Sequence, residues 1–218
     1  MIRRKNILKI SIDSPAAAGA GTQAKLISKH YKLLWLDTGK CYHYIASIKI
    51  AEPKKFNYKY VKNKIDKLKI KDLKNKKLLS DKVATVASII AKDKKIRKLI
   101  NNFQLECAYN PPKKYLGSCL DGRDIGSVVV KDADIKLYIT ANLKIRARRR
   151  FKELKTKNKR ITFKEVLKSI KNRDKTDKNR KISPLKKTKD MYLINSSSES
   201  ISSCFMKIKK IIDRKLNV

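Results

Sequence analysis

The first forty residues constrain this chain more than anything after them. Residues 7–13, ILKISID, read as a strand, and LLWLD at 33–37 reads as a second, buried strand. Between them lie a turn of small residues, SPAAAGAGT at 14–22, and an amphipathic helix from about Gly21 to His30. A further helix is expected over 40–50. Strand, loop, helix and strand in that order argue for a parallel α/β sheet.

The turn lies where phosphate-binding loops lie, between a first strand and a first helix. Their usual spacing is GxxxxGK followed by Ser or Thr. Here Ser14 takes the place of the first glycine, Gly19 that of the second, and Ala20 that of the lysine, with Gly21 and Thr22 after it. Ala16, Ala17 and Ala18 are small enough for the backbone to close around an anion, which would meet backbone N–H groups and a helix N-terminus. The alternative reading is a tight strand-to-helix turn with no ligand.

Further along, residues 51–79 are Lys-rich with sparse apolar positions and read as a small peripheral insertion. Residues 80–108 are helical with a break near 92–95, and Pro111 and Pro112 stop any helix. LGSCLDGRDIGSVVV at 116–130 reads as a strand, a polar turn and a short apolar strand. DIKLYITA at 134–141 is another core strand, 142–180 is basic and mostly helical, MYLINS at 191–196 is a last strand, and Glu199–Leu216 a last helix.

Three polar motifs stand out. DTG at 37–39, with Tyr42 and His43 after it, follows the second strand, at the sheet edge where α/β proteins bind ligands. Asp37 taken alone is equally a helix N-cap. DGRDIG at 121–126 sets two aspartates around an arginine between glycines, which suits a tight polar site or a turn with local ion pairing. RDKTDKNR at 173–180 puts Arg173, Asp177 and Arg180 on one helix face, as a binding surface or an exposed salt-bridge face.

Charge needs its own account. Lysine and arginine number 57 against 19 acidic residues, a net charge of +38. Such a charge suits polyanionic partners. Only 12 of the basic residues are arginine, however, and the lysines are spread through every segment, so a solvated lysine coat is the preferred reading over a nucleic-acid surface. Seven of those 12 arginines fall between 146 and 180, where planar, bidentate contact with phosphate is the natural use. The cysteines Cys41, Cys107, Cys119 and Cys204 are widely spaced and read as reduced thiols, not a disulfide framework or zinc site. No apolar run is long enough to span a membrane, the basic N-terminal start is no signal peptide, and a cytoplasmic location is expected.

Taken in order, IDSPAAAGAGT, LDTGKCYH, DGRDIGSVV, RARRRFKEL, RDKTDKNRKISPL and LINSSSESI resemble bacterial-type cytidylate kinases, over roughly 7–50 and 80–214. The pairing of DGRDIG with RDxxDxNR is the specific part. The resemblance implies a five-stranded parallel sheet with helices on both faces, a core of 1–50 and 80–218, a basic helical lid at about 146–180, and 51–79 as a reduced monophosphate-binding insert. It implies transfer of the ATP γ-phosphoryl group to CMP or dCMP with magnesium, by a monomer that uses no nucleic acid or membrane. Ser14, Pro15, Ala16, Ala17, Ala18, Gly19, Ala20, Gly21 and Thr22 would cradle the ATP phosphates, Thr22 also serving the magnesium ion. Arg146, Arg149 and Arg150 would approach ATP from the start of the lid. Thr38, Tyr42 and His43 would lie near the CMP phosphate, and Ser88, Arg97 and Asp124 would read the cytosine. Arg123 and Arg173 would bridge phosphates, Asp177 would hold the ribose hydroxyl, and Arg180 would contact the CMP phosphate or the transferring group.

Several positions depart from the family pattern. The loop lysine is Ala20, the arginine after DTGxxY is His43, Leu79 replaces an arginine, and a segment that often reads RRQR is NNFQ at 101–104. These losses support an alternative reading, a nucleotide-binding relative with little or no activity. On the kinase reading Lys40, where the family typically has a small residue, would compensate by bringing a cation near the phosphates. A third reading, a basic nucleic-acid-binding protein on this fold, has only the net charge behind it.

Overall fold

The structure is a computed structural model and describes residues 7–156 and 159–217. The basic residues 1–6, residues 157 and 158 of the expected lid, and residue 218 lie outside the described residues. Five strands, β1 (Leu8–Asp13), β2 (Leu33–Asp37), β3 (Gly117–Gly122), β4 (Ile135–Thr140) and β5 (Tyr192–Asn195), form one sheet in the order β2-β3-β1-β4-β5. Every neighbouring pair runs parallel. The helices are α1 (Ala20–His30), α2 (Gly39–Ala51), α3 (Tyr58–Asp66), α4 (Asp81–Ile90), α5 (Lys94–Tyr109), α6 (Leu143–Lys155), α7 (Phe163–Asn179) and α8 (Ile201–Leu216).

Strand alternation divides the interior into two cores. Ile10, Ile12, Cys119, Ile135, Leu137 and Ile139 point to one face and pack against Ala24 and Ile27 of α1 and Ile208 and Ile212 of α8. Leu34, Leu36 and Leu120 point to the other face and pack against Ile45 of α2, Ala87 of α4 and Ile100 of α5. Ile12, Leu137, Ile139 and Ile208 are completely buried, each contributing roughly 1.5–3 kcal/mol. Because the strands all run one way, their carboxyl ends, Asp13, Asp37, Gly122, Thr140 and Asn195, share one edge of the sheet.

The Lys-rich stretch 51–79 is better packed than its sequence suggests. It holds α3 and three short 3-10 turns, and Val61, Ile65, Leu68 and Leu73 join the core under α2 and α5. The expected break in 80–108 falls between α4 and α5, where the Asp93 carboxylate caps α5 by accepting from the Lys95 and Ile96 N–H groups. The apolar end of 116–130 is not a strand. Ile125–Val129 forms a π-helical turn, because the Asp13 carboxylate takes the backbone N–H groups of Ile125, Gly126 and Ser127 at 2.6, 3.1 and 3.4 Å and leaves no free edge to pair.

Helices α6 and α7 pack on each other through a small core of Ala147, Val166 and Ile170, extended by Phe151 and Phe163. The Thr162 hydroxyl and Glu165 carboxylate form a capping box that starts α7. Cys41, Cys107, Cys119 and Cys204 are buried and unpaired, and among the described residues no helix is long and apolar enough to cross a membrane.

Candidate active site

The turn after β1 is a built loop. Ala17 adopts φ 58° and Gly19 φ 91°, both left-handed, so the chain doubles back before entering α1. Helix α1 has no side-chain cap and no acidic residue in its first turn. Its leading N–H groups are therefore oriented for an anion, with the helix dipole behind them. The loop is braced from outside. Arg146 donates to the Ala16 carbonyl at 3.0 Å and the Ala141 carbonyl at 2.8 Å, and pairs with Asp174 at 2.7 Å. Arg149 donates to the Ser196 carbonyl at 2.6 Å and its hydroxyl at 3.0 Å, while that hydroxyl donates to the Ala18 carbonyl at 2.9 Å. Arg146 is thus buried as a strut, whereas Arg149 and Arg150 line an open cleft of about 450 Å³ with Ala17, Ala18, Gly19, Thr22 and Gln23 on one side and Ser196, Glu199 and Ile201 on the other.

Register brings two carboxylates together beside the loop. Asp37 ends β2 directly opposite Asp121 in β3. Asp121 Oδ1 accepts from the Trp35 indole at 2.7 Å, and Oδ2 faces Gly21, 3.5 Å from where a Cβ would stand. Burial and the neighbouring Asp37 push the Asp121 carboxyl well above the usual carboxylate range. The Thr38 hydroxyl donates to the Asp121 carbonyl at 2.7 Å, and a Cβ on Gly122 would collide with that hydroxyl, so only glycine fits there. Lys40 lies beside this pair, 4.0 Å from Asp37 Oδ2 and 5.7 Å from the Trp35 ring centre.

A second cluster forms where the turn after β3 meets α5 and the end of α7. Asp124 is buried and accepts from both Arg97 and Arg180. Arg97 is itself buried, donates to the Ala91 carbonyl and covers the Tyr42 ring at 5.6 Å. Arg123 pairs with Asp177 at 2.9 Å, and Asp177 in turn faces Arg180 at 3.9 Å. Arg173 lies next to Arg123, and that like charge, with desolvation by the surrounding groups, pushes its guanidinium down to about 10. It remains charged at neutral pH, and Arg97, Arg123, Arg173 and Arg180 outnumber the carboxylates set among them, Asp124 and Asp177, so an arriving anion lowers the energy of the cluster.

His43 and Ser88 sit differently from the rest. His43 Nδ1 donates to the Leu78 carbonyl at 2.7 Å, tying α2 to the 3-10 turn at 76–79. Burial pushes its imidazole below the ordinary value, so it is neutral near pH 7 and supplies no cation. Ser88 is exposed on α4, its hydroxyl donating to the Thr85 carbonyl. Sequence reasoning missed Asp13, which shapes the turn carrying Asp124, and Trp35, which orients Asp121. A buried aspartate closing an apolar strand and a tryptophan two residues before Asp37 were the available signals.

The profile of the family described as cytidylate kinase matches residues 10–214. The chain belongs to the cytidylate kinase family. It is 39% identical over 208 residues to a cytidylate kinase of Bartonella henselae, covering 94% of each chain. It is 36% identical over 224 residues to one of Clostridium botulinum, covering 95% of this chain and 98% of that one. A solved structure of an uncharacterized protein from Eubacterium ventriosum superposes with a TM-score of 0.56 at 17% identity, covering 94% and 98% of the two chains, and shares the fold. As a cytidylate kinase family member the protein is an ATP-dependent nucleoside monophosphate kinase, built on the five-stranded parallel sheet described above.

Proposed function

We propose that the protein transfers the γ-phosphoryl group of Mg-ATP to CMP or dCMP, giving ADP and CDP or dCDP. The observation that carries this reading is Asp124, buried and held between Arg97 and Arg180 at the carboxyl edge of the sheet. Cytosine presents an N4 amine donor beside N3 and O2 acceptors. A carboxylate for the amine and a guanidinium for the acceptors match that edge, and uracil would turn its O4 toward the carboxylate. CMP is therefore preferred over UMP.

Transfer of this kind needs alignment and charge neutralisation more than covalent chemistry. The loop from Ser14 to Thr22 and the free N–H groups of α1 hold the donor phosphates, and the cleft under Arg149 and Arg150 takes the nucleoside of ATP. Thr38, Tyr42 and the cations Arg123, Arg173 and Arg180 hold the CMP phosphate in line, with Asp177 on the ribose. The donor set fits magnesium: Asp37 and Asp121 stand side by side with one Asp121 oxygen turned to α1, and magnesium takes one or two carboxylates plus substrate phosphates. Those carboxylates and the Thr22 hydroxyl would hold the ion, which when bound neutralises phosphate charge. The protein acts as a monomer, with 51–79 as the acceptor-side insert and α6–α7 as the lid over the donor.

The test is ADP release from Mg-ATP with CMP, dCMP, UMP and AMP offered in turn. Turnover with CMP or dCMP well above UMP and AMP is expected. A second reading, a nucleotide-binding relative with low or no activity, is favoured by Ala20 and by the neutral His43. Tight CMP binding with no turnover would select it.

A further inference from the structure

The loop of this kinase brings backbone N–H groups to the donor phosphates but no cation of its own. Ala20 occupies the position of the usual lysine, 6% exposed, with its methyl in the core beneath α1. The arginines bordering the loop have partners already: Arg146 is spent on two carbonyls and Asp174, Arg149, beside Gly19, donates to Ser196, and Arg150 pairs with Glu153. His43 is neutral and tied to Leu78.

Lys40 is differently placed. It stands in the first turn of α2, over the Trp35 ring, beside Asp37. Trp35 donates to Asp121, and Asp121 reaches Gly21 in the first turn of α1. A short bridge of side chains therefore runs from the Lys40 ammonium to the residue just after Ala20. Lys40 is held only loosely among the described residues: its separation from Asp37, 4.0 Å, is beyond hydrogen-bond length, and its side chain is 26% exposed. A lysine stem of four carbons swings easily between a resting carboxylate and an arriving phosphate.

We propose that Lys40 is the catalytic lysine of this enzyme, moved from the phosphate loop to the first turn of α2, where its ammonium neutralises the β- and γ-phosphate oxygens of ATP. The proposal rests on the phosphoryl-transfer reading. In the step it serves, a CMP phosphate oxygen forms a bond to Pγ. The bond from Pγ to the bridging oxygen breaks, and ADP leaves with that electron pair. Lys40 gives up no proton. It offsets the charge that builds on the bridging and γ oxygens.

The experiment compares kcat with CMP, and affinity for Mg-AMP-PNP, in wild type, Lys40→Ala, Lys40→Met, Ala20→Lys and the double variant Lys40→Ala/Ala20→Lys. Lys29→Ala, an exposed residue at the far end of α1, is the charge control. Both Lys40 variants should lose about 10²–10³ in kcat, the usual cost of one preorganised cationic donor. Restoring lysine in the loop should recover at least tenfold in the double variant, and Lys29→Ala should match wild type. Lys40→Ala within twofold of wild type, or a deficit that Ala20→Lys leaves untouched, overturns the proposal. If wild type turns over no acceptor, the proposed function fails separately. Mg-AMP-PNP affinity then decides Lys40, a loss recovered by Ala20→Lys upholding it and an unchanged affinity overturning it.

Discussion

Asp124 neutralises two guanidinium groups that have left water, so its removal acts on the fold and, on the proposed reading, on recognition of cytosine. Asp124→Asn keeps the shape and an acceptor but loses the charge, and kcat/KM for CMP is expected to fall by about 10²–10³ while the value for UMP moves less. Asp124→Ala strands Arg97, whose side chain is 4% exposed, and should cost roughly 3–5 kcal/mol in denaturant unfolding. Ala17 is a different case. Its φ of 58° is one that alanine adopts only with strain, so Ala17→Gly should raise stability by about 1 kcal/mol, read as a higher melting temperature. Asp13 makes a pH-dependent contribution. Burial, only partly offset by three N–H donors, raises its carboxyl to about 7, against roughly 3.9 in the unfolded chain. Because the folded value is the higher, the folded state holds a proton that the unfolded state has lost between those limits. Its stabilising contribution is complete below about pH 4 and fades as pH rises toward 7. The stability advantage of wild type over Asp13→Asn should therefore shrink between pH 5 and pH 8. An advantage that grows instead would show that the three N–H donors outweigh burial.

At the level of elements, the sheet and most helices were legible because their apolar periods are regular and their ends carry turn residues or caps. The run ending in SVVV at 127–130 misled, since three valines read as a strand while the partner that bends them into a π-turn, Asp13, lies in another element. The insert at 51–79 misled in the opposite direction. Its lysines hide the spacing of Val61, Ile65, Leu68 and Leu73, which is enough to anchor it. The same limit applies to the site. Motifs announced Arg123, Asp124, Asp177 and Arg180, but no local pattern announces that Trp35 orients Asp121, because that contact depends on strand register. Nor does sequence separate a strut from a cleft-lining arginine. Arg146 and Arg149 are both in α6, yet Arg146 points back under the loop while Arg149 borders the cleft. Helix α6 is thereby latched to the loop through Arg146 and to α7 through Asp174. Arg146→Met should loosen the loop and raise the KM for ATP by about tenfold to a hundredfold with the KM for CMP nearly unchanged, because displacement of a positioned group by an ångström is enough to cost that much.

For the molecule as a whole, the excess of 57 basic over 19 acidic residues sets two energies against each other. The described ion pairs are stabilised by low salt, but most of the lysines have no acidic residue to meet, and their mutual repulsion penalises the compact state. Exposed pairs such as Lys62 with Asp66 contribute little because water and salt screen them, and the Arg97–Asp124 pair is buried and little screened. Repulsion across the coat, by contrast, acts over distances comparable to the Debye length of about 10 Å at 0.1 M, so added salt relieves it first. The melting temperature is therefore expected to rise as sodium chloride goes from about 10 mM to about 500 mM. At matched ionic strength sulfate should raise it further than chloride. Part of its effect is general exclusion from the protein surface, and part is binding to the crowded cations Arg123 and Arg173. Replacing Arg173 with Ala should remove the second part and leave the chloride curve almost unchanged. RNA should associate only through the coat, losing affinity steeply with salt and showing no preference among sequences. A melting temperature that falls with salt would mean that the ion pairs outweigh the coat.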